Sequence, residues 1–307
     1  MSGIRKVTRH CGKYGVSSSF IQVSYFPHNN NRKIASRQRR HEVSTPKQKV
    51  LNNKRAKRFL EALIYTNFGI GDLRVDLTYS KNMSIDEKTA KREIQNYIRR
   101  INYRRKKLGL DNVKYIVVTE IGKKGKVHHH FIMDAKMDRN IVEDLWGKGY
   151  ANTRRLQPDE NTELTELIKY FTKDFKVENE TANRRKWDSS LNLIKPWETI
   201  NDDPRQMSKK RINLMKKLPK DCEQMKEFIE KDNPGYELMS VERSVDDESG
   251  VWSFFCRMRI IKKNDVDLST ELSTKENKPI GKPKCRNGGT AGGIKNAKKN
   301  RRLTGQS

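Results

Sequence analysis

The sequence predicts an α+β fold, a mainly antiparallel central sheet with helices packed on it and basic segments on either side. Three observations predict it. Segments with strand and helix periodicity alternate as strand, helix, hairpin, helix, strand, helix between Leu73 and Lys176. The two strands of the hairpin are close enough in sequence to be joined by a tight turn, which makes them antiparallel. Of the 307 residues, 34% are hydrophobic and 34% charged, so a modest core is flanked by solvated basic chain. The length suits one large domain or two smaller ones, because a single core rarely grows beyond about 250–300 residues. Composition divides the chain into a basic N-terminal segment with one strand (1–50), a central α+β domain (51–200), a helical and hairpin extension (201–261) and a basic tail (262–307) expected to be disordered.

Each element has its own signal. In the first segment "SSSFIQVSYF" (Ser17 to Phe26) is strand-like. A helix is expected from Asn52 and Asn53 through "AKRFLEALIYTNF", where Phe59, Leu63 and Ile64 have helical spacing, and Gly69 and Gly71 end it. "DLRVDLTYS" puts Leu73, Val75, Leu77 and Tyr79 on one face of a strand. Ser84 and Glu87 have capping-box spacing, and the helix after them buries Ile94, Tyr97, Ile98 and Ile101 while arginines and lysines crowd its other side. The hairpin "KYIVVTEIGKKGKVHHHFIM" follows, then a short helix (Asp138 to Trp146), a strand in "YANTRRL" and the helix "ELTELIKYFTKDFK". In the extension, "YELMSVERSVDDESGVWSFFCRMRII" has the pattern of a second hairpin.

Lysine and arginine total 66 against 38 acidic residues, a formal charge of +28. Such a surplus calls for a polyanionic partner, and the spread of basic residues along the whole chain suits nucleic acid better than one membrane-facing patch. No apolar run approaches the ~18 residues of a membrane span, and "MSGIRKVTRH" lacks a signal-peptide core, so a soluble, cytoplasmic protein without a membrane partner is expected. Cys11, Cys222, Cys256 and Cys285 are scattered without C-x-x-C spacing, which indicates neither a zinc knuckle nor a disulfide framework.

The hairpin carries three of the chain's six histidines in a row. Its loop, Lys123, Lys124 and Gly125, matches a three-residue connection whose last position is left-handed and favours glycine. Setting Gly122 opposite Lys126 puts Glu120 opposite His128 and Val118 opposite His130. Alternation then places Glu120, His128 and His130 on one face and His129 on the other. Two imidazoles and a carboxylate form a three-ligand set with open positions, suited to Mg²⁺, Mn²⁺ or Zn²⁺, with no thiolate to select zinc. As structure alone, the same residues would be an exposed cross-strand patch with Glu120 balancing charge.

With these pieces in place, "GKVHHHFIM" resembles the His-hydrophobic-His motif of the HUH endonucleases, and the chain is similar to the rolling-circle replication initiators of phages and plasmids, in particular the gene II protein-like group. "DLTYS" resembles that family's first motif, "VVTE" supplies the upstream acid, "LIKYFTK" matches the Tyr-x-x-Lys helix, and "WDSSLNLIKPWE" resembles the segment after it. The resemblance spans about Leu73 to Glu198. His129 fills a slot that is usually apolar, and Asp76 stands where the first motif is normally uncharged. The resemblance implies an HUH, RRM-like endonuclease domain. Its metal would be Mg²⁺ or Mn²⁺ on Glu120, His128 and His130, with Tyr170 as nucleophile and Lys173 beside it. The product would be a 5′-phosphotyrosine on single-stranded origin DNA that can later be rejoined.

On a helix Tyr170 and Lys173 lie about 60° apart, off the stripe of Leu164, Leu167, Ile168, Phe171 and Phe175. Tyr79, Tyr97 and Tyr150 read as structural. Thr78, Arg99, Arg100, Arg154 and Arg155 are candidate DNA contacts. No G-x-x-x-x-G-K-[ST] loop occurs, so a host helicase and a polymerase are expected partners. A mobilisation relaxase or single-strand transposase would share this chemistry, and a non-catalytic DNA-binding protein would share only the charge.

Overall fold

The computed structural model describes residues 2–29, 46–83, 85–122, 125–157, 164–172, 187–203, 208–220, 222–245 and 251–261. In chain order the elements are β1 (Ser2–Cys11), β2 (Phe20–Asn29), α1 (Pro46–Asn67), β3 (Leu73–Thr78), α2 (Glu87–Lys107), β4 (Tyr115–Ile121), β5 (Val127–Met133), α3 (Arg139–Asp144), β6 (Ala151–Arg155), α4 (Thr165–Phe171), β7 (Asp188–Ser189), β8 (Trp197–Asn201), α5 (Lys209–Lys217), α6 (Glu223–Lys231), β9 (Tyr236–Val245) and β10 (Trp252–Ile260). The fold is α+β, with two antiparallel five-stranded sheets ordered β8-β1-β2-β10-β9 and β6-β3-β5-β4-β7. Residues 1–261 make one compact unit, and the expected basic tail from Lys262 lies outside the described residues.

The β6-β3-β5-β4-β7 sheet is covered on both faces. Leu73, Val75, Leu77, Val117, Phe131 and Met133 meet Ile94, Tyr97 and Ile101 of α2 and Val142 and Trp146 of the α3 region. On the other face Ile116, Val118 and Ile132 meet Leu60, Leu63 and Ile64 of α1 and Leu164, Ile168 and Phe171 of α4. β5 lies at the centre of this sheet, so both its faces are buried, and its sequence ends in the unbroken apolar run Phe131, Ile132, Met133. Each such side chain withdrawn from water contributes about 1.5–3 kcal/mol.

Two helix starts differ from the sequence expectation. The cap of α2 is Asp86, whose carboxylate accepts from the Thr89 backbone N–H, and Ser84 lies outside the described residues. Helix α1 begins at Pro46, ahead of Asn52 and Asn53, since proline suits a first helical turn where its missing N–H costs nothing. The interior of α2 also differs. Arg105 is fully buried, donating to Asp134 Oδ1 at 2.6 Å and to the Asp111 carbonyl at 2.6 Å.

The second sheet is built from both ends of the sequence. The first segment supplies two strands, not the one expected, and β2 pairs with β10 across more than two hundred positions. β1 is obscure in the sequence because its core-facing pattern is broken by charges that are neutralised only by distant residues. Arg5 pairs with Asp202 at 2.7 Å, Lys6 with Asp232 at 3.0 Å and Arg9 with Glu198 at 2.6 Å. α5 and α6 close one face over Ile4, Ile21, Val23, Tyr25, Phe254, Cys256 and Met258. On the other face α1 inserts Ala62 against Cys11 and Phe20, while Glu61 accepts from Gln22 and Arg257. Helix α1 thus lies between the two sheets.

Candidate functional site

The site begins with a turn. Gly125 takes φ 73°, and the Gly122 N–H donates to the Lys126 carbonyl at 2.8 Å, closing the β4–β5 hairpin in the expected register. Lys123 and Lys124 lie outside the described residues. Glu120 pairs with His128 and Val118 with His130, so Glu120, His128 and His130 share a face and His129 has the other. β3 runs along the far side of β5 with Asp76 opposite His130 and Thr78 opposite His128. β6 adds Asn152 opposite Asp76 and Arg154 opposite Arg74. One polar patch therefore crosses four strands, and α4 packs on the same face.

His130 is the best held member of the patch. Its Nδ1 lies 2.6 Å from Asp76 Oδ1 and its Nε2 lies 3.1 Å from Glu120 Oε2. Arg74 grips the same Asp76 carboxylate at 2.9 Å. Burial by itself would raise the Asp76 carboxyl, but the His130 hydrogen bond and the Arg74 charge hold it below the ordinary carboxylate range. Asp76 and Arg74 were not expected as site residues. The available signal was strand parity, because 74, 76 and 78 share a face that Leu73, Val75 and Leu77 avoid. His128 is half-buried at the rim, over a cleft of about 730 Å³ that Thr78, Tyr79, Lys126, Gly149 and Tyr150 also line. Gly149 is required there, since a Cβ would fall 2.4 Å from the Thr78 carbonyl oxygen.

Two imidazoles and a carboxylate, with a second carboxylate behind one ring, are a mixed nitrogen and oxygen donor set of the kind a divalent cation accepts. Among the described residues, however, no three His, Cys, Asp or Glu side chains are gathered closely enough to hold a metal ion. Glu120 and His130 instead hydrogen-bond to each other directly.

His129 has a different role. It is fully buried on the α2 face, hydrogen-bonded to Thr119 Oγ1 at 2.9 Å and to the Tyr79 hydroxyl at 3.0 Å. Burial, then the neighbouring His130 and His128, push its pKa down to about 3, so it stays neutral with both ring nitrogens occupied. Tyr79 is pushed up to about 12 by burial and by Glu93, and Tyr97 is raised by burial with its hydroxyl donating to the Val142 carbonyl. Tyr150 is 66% exposed at the cleft rim.

The remaining candidates are distributed unevenly. Tyr170 lies on α4, whose Phe171 ring sits 5.9 Å from the His130 ring; its own side chain and Lys173 fall outside what is described. Arg154 is exposed on the histidine face, whereas Arg155 pairs with Leu73 on the opposite face and donates to the Gly71 carbonyl. Arg99 and Arg100 belong to α2, across the sheet from the histidine patch. Arg99 is exposed, but Arg100 is committed to the carbonyls of Leu145 and Trp146 at 2.8 and 3.0 Å.

No helix among the described residues is long and apolar enough to cross a membrane. Neither the curated proteins nor the solved structures offer a match to the chain. A family model does: residues 72–175, from the residue before β3 to just beyond α4, match the replication-associated protein family of the ORF2 and gene II protein type, which supports a role in initiating DNA replication and brings DNA with it as the expected partner.

Proposed function

We propose that the chain is a metal-dependent HUH endonuclease that initiates rolling-circle replication by nicking single-stranded origin DNA. The observation that carries this reading is the shared face of Glu120, His128 and His130, backed by Asp76 and covered by the helix that bears Tyr170, inside the stretch similar to replication-associated proteins. Glu120, His128 and His130 would hold Mg²⁺ or Mn²⁺. When bound, the ion draws charge from a non-bridging phosphate oxygen and makes phosphorus more electrophilic. Asp76, on His130 Nδ1, would hold a proton there, so that Nε2 would be the nitrogen offered to the ion.

Tyr170 attacks phosphorus through its phenolic oxygen. A tyrosine ordinarily ionises near ~10, so its proton must leave as the O–P bond forms, and the positive field of Lys173 favours that loss. The bond from phosphorus to the 3′ oxygen breaks, that oxygen takes up a proton, and a 5′-phosphotyrosine remains. One phosphodiester has replaced another, so a free 3′-hydroxyl can reverse the step and rejoin the strand. Thr78 and Arg154, which share that face, would make phosphate contacts, and the strand would lie along the cleft beside His128. Unwinding would fall to a separate helicase and extension to a polymerase.

The test is cleavage of labelled single-stranded origin DNA in Mn²⁺ or Mg²⁺, followed by peptide mapping of the covalent adduct. Label on Tyr170, with nicking and adduct both lost in Tyr170→Phe, is the expected result. An adduct mapped to Tyr79, Tyr97 or Tyr150 would overturn the nucleophile, and cleavage without any adduct would make water the nucleophile and the protein a simple hydrolase.

A further inference from the structure

Away from the histidine patch, on the other side of α1, a cleft of about 370 Å³ opens between the first half of that helix and the β8-β1-β2-β10-β9 sheet. Leu51, Lys54, Arg55 and Arg58 reach it from α1, at spacings of three and four that put them on one helical face. The sheet contributes the hydroxyls of Ser24, Ser244 and Ser253 and the rings of Phe26 and Phe255. Ser253 is paired with Ser244, and Ser24 with Phe255, so hydroxyls and aromatic rings stand side by side across β2, β10 and β9.

The balance of charge in this cleft is positive. Four cations line it, Arg9, Lys54, Arg55 and Arg58, against the single carboxylate of Glu198. Glu198 is engaged by Arg9, and Glu242 nearby takes up Arg58 at 2.9 Å and Lys54 at 3.4 Å. Arg55 has no such carboxylate; it is exposed at the mouth of the cleft and forms no hydrogen bond or ion pair among the described residues. The Arg58 Cζ lies 3.5 Å from the centroid of the Phe255 ring, and its Nε is sealed from solvent. The exposed cation of Arg55, the Lys54 ammonium held on Ser244 Oγ at 2.9 Å and the hydroxyls of Ser24 and Ser253 form a phosphate-binding set, and an aromatic edge beside them suits a base.

We propose that this cleft is a nucleotide-binding site separate from the histidine patch, one that takes a single nucleotide unit of a DNA strand. The phosphate sits against Arg55, Lys54 and the serine hydroxyls, and the base sits against Phe26. The site holds DNA at a distance from the histidine face and needs no metal. It lies outside residues 72–175, the stretch that the family model matches.

The test uses the full chain in excess chelator, so that no cleavage occurs and its outcome is independent of the nicking chemistry. A single-stranded oligodeoxynucleotide carrying 5-iododeoxyuridine is photo-cross-linked and the labelled peptides are mapped. Label is expected in residues 20–29 or 251–261, and excess thymidine 5′-monophosphate or unmodified oligonucleotide should displace it. Arg55→Ala, at an exposed position without partners among the described residues, should fold normally by circular dichroism and lower the slope of log affinity against log salt by ~0.7, the value for one single-strand phosphate contact. Absence of label from both peptides, or label and salt slope unchanged in Arg55→Ala, would overturn the proposal. Displacement by inorganic phosphate as effective as by the nucleotide would also overturn it, leaving an anion site with no place for a base.

Discussion

The 2.6 Å contact between His130 Nδ1 and Asp76 Oδ1 sets what the other ring nitrogen can do. An acceptor on Nδ1 keeps a proton there, and the Nε2 contact with Glu120 is a hydrogen bond only while Nε2 carries a proton too, so a cation on Nε2 would take that proton's place. An amide at position 76 could turn its NH₂ toward Nδ1 and favour the opposite tautomer. Asp76→Asn is therefore expected to weaken Mn²⁺ binding and nicking by about 10–100-fold while leaving the urea midpoint close to that of the parent. Titration calorimetry with Mn²⁺ measures the first and denaturation the second; unchanged metal affinity would make Asp76 a purely structural neighbour. His129→Gln should behave in reverse, because His129 is itself fully buried, bonds the Thr119 and Tyr79 hydroxyls through both ring nitrogens and faces away from the patch. Stability should fall by about 1–3 kcal/mol with metal affinity retained.

Among the elements, α2 shows how a helix rich in arginine can be fastened by one of them. Its apolar stripe of Ala90, Ile94, Tyr97 and Ile101 continues into Arg105, whose guanidinium is sealed beneath the chain that leads into β4. Asp134 neutralises it and, with its second oxygen, accepts from the Lys114 backbone N–H at 2.7 Å, so a single carboxylate joins the end of α2 to both strands of the hairpin. Asp134→Ala would strand a buried cation, and a loss of about 3–5 kcal/mol in urea denaturation is expected. Replacing both partners, Arg105→Met with Asp134→Leu, should cost less than that single change, since no unpaired charge is left behind. Equal losses in the two proteins would show that packing, and not charge, holds this end of the helix.

At the scale of the whole molecule, α1 joins two sheets through different forces. Toward the histidine sheet it is apolar, while toward the other sheet it presents Arg58 and Glu61 to a network with Gln22, Glu242 and Arg257. Burial would raise the Glu242 carboxyl, but the hydrogen bond and charge of Arg257, followed by those of Arg58, hold it down at about 2. The group is depressed in the folded chain, so its contribution is fully present above the ordinary carboxylate value of ~4.3 and is lost as pH falls toward 2. Solvent reaches part of Glu242 and weakens the effect. Glu242→Gln should then be less stable than the parent at neutral pH and lose less stability between pH 5 and pH 3. Parallel acid-unfolding curves for the two proteins would remove the network from any role in pH dependence.

What the sequence by itself determined is local. The hairpin register, the shared face of Glu120, His128 and His130, the exclusion of His129 and the order of elements from β3 to α4 all follow from a glycine turn and from periods of two and 3.6. The tertiary structure decided whatever depends on partners far along the chain. Asp76 was legible as a charged residue in a strand, but its meaning came from His130, 54 positions later. Arg105 looked solvated until Asp134 was folded over it, and β1 looked irregular until Glu198, Asp202 and Asp232 neutralised its charges. A charge that is cancelled across such separations leaves no periodic trace near its own position, because the cost of burying it is offset only once the distant partner has docked.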